Sequence, residues 1–240
     1  PDGMVCLPGE DGQWVLLRNH ELSTPVVMAV WGIDLGPYSR GTVPQPWRTG
    51  TARGGVSRLV VDPVALGEDL AQGRHESRAV TSSQLILAGT DSNCAGGVVD
   101  GAWVSCEESS RDGHGYAFVT RPTDTALTAP RPIRSWGRLH REAVALDPET
   151  GIVYMTEDRK DGCLYRHVPV EPRKPMGPGQ LQALSIAGLA HTDPYPEPQE
   201  DVPPPKIWRD GQQWEVQWVD VQDPVARELP CRYQAARVGA

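Results

Sequence analysis

The chain has 240 residues and a formal net charge of −8, from 23 Lys+Arg against 31 Asp+Glu. Its 25 glycines and 23 prolines make up a fifth of the sequence, which excludes a coiled coil or plain helix bundle, because neither residue is tolerated inside a helix. No Lys/Arg cluster breaks the acidic balance, so neither nucleic acid nor an anionic membrane surface is an expected partner, and handling an anionic substrate requires bound cations.

The chain starts Pro1-Asp2-Gly3 without a Met or a signal-peptide pattern, so a preceding segment is expected. Short β-rich runs bounded by turn residues then follow in order. They lie at 14–17, after the turn 8–12, and at 56–61, 85–88, 103–106 and 116–119. The longest apolar run, 26–33, has eight residues and is too short to cross a bilayer. Two further runs at 143–147 and 152–156 flank Pro148-Glu149-Thr150-Gly151, a four-residue loop with turn chemistry. From Pro169 to Pro205 ten prolines fall in 37 residues, which reads as a long extended loop or insertion. Residues 214–221 alternate cleanly with period two. No stretch of comparable length has a helical period. Asp-Pro closes a strand-like run at 62–63, 147–148 and 223–224, which suits strand-and-turn units such as propeller blades.

The hairpin at 142–158 carries the most chemistry. With a four-residue loop, paired residue numbers sum to 299 and Glu142 faces Glu157. Directly opposed side chains lie about 5 Å apart, and like charges there repel unless something neutralises them. A bound cation is one remedy, while fraying of the hairpin into water is another, and a one-residue slip breaks the pairing.

Other constellations are weaker. Arg18-Asn19-His20-Glu21 follows an apolar run; His20 and Glu21 suit a metal and Arg18 an oxyanion, but four polar residues more often make an ordinary turn. Asn93-Cys94-Ala95-Gly96-Gly97 offers a thiolate beside two glycines, or a small buried residue in a tight turn. Glu107 and Glu108 are adjacent acids at a strand end, so at most one points into a given site. His140, between Arg138 and Arg141, suits a substrate contact or an exposed basic loop. The five cysteines include no C-x-x-C, so a zinc site of that type has no support, and the redox compartment stays open. Neither G-x-S-x-G, nor a phosphate loop, nor H-E-x-x-H is present.

The order of these motifs resembles the PhoX-type alkaline phosphatase family. The resemblance is carried by P-D-G-M at 1–4, D-G-Q-W-V-L-L-R-N-H-E at 11–21, G-G-V-S-R-L-V at 54–60, G-T-D-S-N-C-A-G-G at 89–97 and W-V-S-C-E-E at 103–108. It continues with H-G-Y-A-F at 114–118, G-R-L-H-R-E-A-V at 137–144, V-Y-M-T-E-D at 153–158 and L-Y-R at 164–166. It implies an all-β, six-bladed β-propeller, periplasmic or secreted by twin-arginine export, that hydrolyses small-molecule phosphate esters with Ca2+ and Fe3+. Glu21, Cys94 and Glu142 look like ligands of the metal cluster, with Asp158 and then Glu157 as further calcium ligands. Arg18 is implied near the substrate phosphate, with Asn19, His20, Asn93, Glu107 and Glu108 as further ligands or supporting residues. A metal-bound oxygen is the implied nucleophile. A family motif of the form F-S-R-x-E-G is absent, so an incomplete propeller, one domain over 1–240 with a Pro-rich insertion at about 169–205, is expected, and a monomer when complete. A non-catalytic calcium-binding propeller and a calcium-dependent lactonase are the competing expectations, and Cys94 argues against a purely calcium site.

Overall fold

The computed structural model describes residues 2–22, 54–74, 78–187 and 211–238. The apolar run at 26–33 and the later part of the proline-rich stretch, 188–205, lie outside them. Strands β1 (Met4–Pro8), β2 (Trp14–Glu21), β3 (Gly54–Val61) and β4 (Val80–Thr90) form one sheet in that order. A second sheet contains β5 (Asn93–Val99), β6 (Ala102–Glu107) and β7 (Ala117–Thr120). The third contains β8 (Arg141–Leu146), β9 (Val153–Glu157), β10 (Leu164–Pro169), β11 (Gly179–Ile186) and β12 (Val216–Asp220). Every strand pairs antiparallel with its neighbour in sequence, so each sheet is a meander, and none of the three closes on itself among the described residues. The protein is mostly β, as its turn-rich composition predicts.

Several local expectations are corrected. Residues 18–21 do not turn: they continue β2 in unbroken register against β3, from Trp14↔Val61 to Glu21↔Gly54. Residues 93–97 are strand rather than tight turn, because β5 pairs with β6 on both sides of Cys94-Ala95. A helix is present at Pro63–Ala71 (α1). There Asp62 does more than end β3: its Oδ1 accepts from the amides of Val64 at 2.9 Å and Ala65 at 3.2 Å, and Pro63 fills the first helical position, where no amide donor is needed. The first half of the proline-rich stretch is a hairpin rather than an extended loop. Pro172, Pro175 and Pro178 gather in the connection, leaving Gly179–Ile186 free of proline to pair with both β10 and β12.

Two apolar clusters hold the sheets together. Val15, Leu17, Val56, Ile86, Leu87, Trp103, Tyr116 and Phe118 pack between the first and second sheets. A larger cluster centred on Trp136 joins Cys106 and Ala117 of the second sheet to Val144, Met155, Tyr165 and Leu181 of the third. A second short helix, α2 (Cys231–Ala236), closes this cluster with Cys231 and Ala235. Arg141 is buried here with no carboxylate partner among the described residues; its Nη2 donates to the carbonyls of Trp136 and Gly137 at 3.1 and 2.6 Å.

The contact between β5 and β8 depends on Gly97. A Cβ at this position would run into the Val144 carbonyl and side chain, so only glycine lets the two backbones meet. Gly97→Ala is expected to destabilise the fold by about 3 kcal/mol, as overpacking does. The reference variant is Gly67→Ala in α1, where nothing lies within 4 Å of the added atom; it is expected to stabilise by about 0.8 kcal/mol through helix propensity. Urea midpoints of the two variants test the pair.

His167 lies fully buried against the tilted Trp136 ring, with centroids 6.2 Å apart. Burial holds its pKa down to about 4 against an ordinary 6.5. Between those values the unfolded chain binds the proton and the folded chain does not, so this group's contribution to stability is lost as pH falls from 6.5 toward 4. Urea titrations at about pH 7 and about pH 5 should therefore show a larger loss for the native protein than for His167→Leu.

Candidate metal centre

The core-facing side of β2 leads to the centre. Val15 and Leu17 are buried in the core, and the regular register places Asn19 and Glu21 next along the same face. Asn19 is fully buried and acts as a clamp: Nδ2 donates to the carbonyls of Cys94 (2.6 Å) and Ala95 (2.8 Å), while Oδ1 accepts from Trp103 Nε1 (2.8 Å). The residues just before β1 are laced into the same place. The Asp2 amide donates to Asn19 O at 3.1 Å, the Gly3 amide to Cys94 O at 3.2 Å, and the Asn19 amide to Gly3 O at 2.9 Å.

Two β-bulges of the same form present Cys94 and Glu142. Between Asn93↔Glu107 and Gly96↔Ser105, Cys94 and Ala95 oppose only Cys106. Between Arg141↔Glu157 and Val144↔Met155, Glu142 and Ala143 oppose only Thr156. A bulge leaves its extra residue outside the ladder and re-aims a side chain, which is what both positions need. The second bulge also corrects the hairpin register. Pairs from Val144↔Met155 to Leu146↔Val153 sum to 299 as expected, but the extra residue then sets Arg141, not Glu142, opposite Glu157.

Around Cys94 the acids converge. Its Sγ lies 3.3 and 3.5 Å from the two carboxylate oxygens of Glu142 and 3.6 Å from Asp2 Oδ1. Donor atoms of Asp2, Glu21 and Cys94 lie within 4.8 Å of one another, and so do those of Cys94, Glu108 and Glu142. The Asp158 carboxyl is a further acidic neighbour of Glu108. One thiol and the four carboxyls of Asp2, Glu21, Glu108 and Glu142 thus meet from all three sheets. Burial pushes the Cys94 thiol up, and the Glu142 carboxylate adds to this. Burial also raises Glu21, with Asp2 and Glu142 contributing by repulsion. Glu108 is pushed up to about 7 by burial first and by its acidic neighbours Glu21, Asp158 and Glu142. Without a cation, protons are what relieve this repulsion. The donor set, hard carboxylate oxygens with one soft thiolate, fits hard divalent or trivalent cations together with a transition metal.

Apart from His140, which meets Glu108 at the edge of the cluster, the remaining expected residues are engaged elsewhere. Glu107 faces the interior: its carboxylate accepts from the amides of Asp91, Gly115 and Tyr116 at 2.9, 2.7 and 3.0 Å, and contacts His114 Nδ1 at 2.8 Å. Asn93 is buried between Thr90 and Ser105 Oγ, to which its Nδ2 donates at 2.7 Å. Arg18 and His20 share the opposite face of β2 from Glu21, and His20 Nε2 meets Ser57 Oγ at 2.9 Å. Burial, with Arg18 next, holds His20 down to about 4. Glu157 turns to Tyr165 and Arg232. His140 Nδ1 lies 3.6 Å from Glu108 Oε1. Asp2 also belongs to the cluster, and its signal in the sequence is its place in the P-D-G-M stretch.

No curated protein and no solved structure matches the chain. A family model described as alkaline phosphatase PhoX matches residues 1–239, almost the whole length, and that family is metal-dependent, in keeping with the acidic, thiol-containing cluster. The chain belongs to the PhoX alkaline phosphatase family.

Proposed function

We propose that the protein hydrolyses phosphate esters of small molecules at a centre holding Ca2+ and Fe3+ around Cys94. The observation that carries this reading is one buried thiol shared by two acidic triads. When bound, such ions supply the positive charge that phosphoryl oxygens and an attacking water require.

The chain's own residues divide the remaining work. Glu21, Asp2, Glu142, Glu108 and Asp158 hold the cations, and Cys94 joins them as thiolate once a metal displaces its proton. Asn19 fixes the backbone on either side of the Cys94–Ala95 peptide, so the sulfur cannot drift when charge builds up nearby. Glu107 ties down the loops behind Glu108. Arg18, on the other face of β2, has no part in this proposal. The three meanders are taken as blades of a propeller, supported by their chain-order antiparallel pairing. A periplasmic or secreted location is part of this reading, supported by the general habit of the family. Among the described residues, no helix is long and apolar enough to cross a membrane.

Protein loaded with Ca2+ and Fe3+ is expected to turn over p-nitrophenyl phosphate and to retain both metals on analysis after desalting. Cys94→Ser should lose iron, Glu142→Gln should lose part of the total metal, and each should lower turnover by about 100-fold while near-UV circular dichroism stays native. A protein that keeps calcium, takes no iron and shows no turnover would instead be a calcium-binding scaffold, and the proposal fails.

A further inference from the structure

The turn after β9 places two adjacent acids in different surroundings. Asp158 lies on the side of Glu108, whose acidic neighbour it is, and its amide donates to His140 O at 2.9 Å. Glu157 is drawn the other way: Tyr165 OH donates to its Oε2 at 3.0 Å and the Cys163 amide donates to the same atom at 3.4 Å. The cation that balances it comes from far along the chain. Arg232, in the first turn of α2, donates from Nη1 to Glu157 Oε1 at 3.3 Å and from Nε to Asp161 Oδ2 at 2.8 Å. Asp161 also accepts from Arg159 Nε at 3.2 Å and Tyr233 OH at 3.1 Å. Arg232 is enclosed, with 12% of its side chain exposed, and the Glu157 side chain is 2% exposed. Among the described residues Arg232 is the ion-pair partner of Glu157.

We propose that Arg232 is a positioning residue for the metal centre: by clamping Glu157 and Asp161 together it holds the Glu157–Cys163 turn closed, keeps Glu157 away from the acids around Cys94, and turns Asp158 toward them. The strand geometry supports this, since neighbouring residues at a strand end face opposite sides and fixing one aims the other. So does the charge balance, because another carboxylate at the cluster would add to the repulsion among acids whose donor atoms already lie within 4.8 Å of one another. A guanidinium suits the task, because its fork spans two carboxylates in a fixed plane. The proposal rests on the cluster being a cation site, and its test separates the two ideas.

Arg232→Met keeps the bulk and removes the charge, Arg232→Lys restores the charge, and Arg227→Ala removes an exposed ion pair with Asp223 in the loop before α2. In metal-free protein, hydrogen exchange at the Asp158 and Cys163 amides is expected to quicken about tenfold or more in Arg232→Met, while amides in the middle of β9 keep their protection. Calorimetric titration with calcium is expected to show affinity lowered about tenfold in Arg232→Met, largely recovered in Arg232→Lys and unchanged in Arg227→Ala. Unchanged exchange at 158 and 163, or unchanged calcium affinity in Arg232→Met, overturns the proposal. Failure of the native protein to bind calcium defeats the cation-site reading instead, and the exchange rates then decide the role of Arg232 alone.

Discussion

Repulsion among the acids around Cys94 is the constraint that the surrounding structure has to withstand. In each triad the donor atoms lie within 4.8 Å of one another, and two of the carboxyls, Glu108 and Glu142, are half-buried, where water screens them poorly. A chain free to relax would splay them apart. It is held by bonds that do not involve the acids themselves: the Asn19 amide across β2 and β5, the strand-like lacing of residues 2 and 3, and the Gly97 contact that lets β5 reach β8. The charged groups are carried into place on this neutral scaffold.

That scaffold separates neighbours in a consistent way. At the end of β2, His20 goes to Ser57 while Glu21 goes to the cluster. After β6, Glu107 is consumed by three backbone amides and His114 while Glu108 goes to the cluster. After β9, Glu157 goes to Arg232 while Asp158 goes to Glu108. In each pair one side chain anchors the backbone and the other faces the centre, a direct result of the two-residue period of extended chain. The adjacent acids are therefore one device used twice, not a surplus of ligands.

The same period explains how much could be read beforehand. Alternation and turn residues located the hairpin at 142–158, its four-residue loop and the strands at 56–61 and 103–106, because those features are local. Bulges are not local: nothing in R-E-A-V or N-C-A-G says which residue will leave the ladder, since that depends on the partner strand and on what lies beneath it. For the same reason R-N-H-E reads as a polar turn, although its side chains alternate between two occupied faces of a strand. Helix α1 was missed because it is nine residues long, too short to impose a period, and its start signal, Asp62-Pro63, doubles as a strand ending. Arg232 lay beyond reach entirely, since an ion pair with Glu157 across 75 positions leaves no trace in spacing.

The cluster draws side chains from all three sheets, and this ties ion supply to the protein's mechanical integrity. An ion seated there is a rivet through three meanders that otherwise touch mainly through apolar contacts. Because only the folded arrangement gathers the ligands, each tenfold rise in free ion above the dissociation constant adds about 1.4 kcal/mol to the folded state. Without an ion the sheets are held by packing and by cross-sheet hydrogen bonds such as those of Asn19 and Gly3, and opening between them exposes strand edges to proteases and to other chains. On the proposed reading, scarcity of the ion shortens the protein's lifetime as well as idling its chemistry.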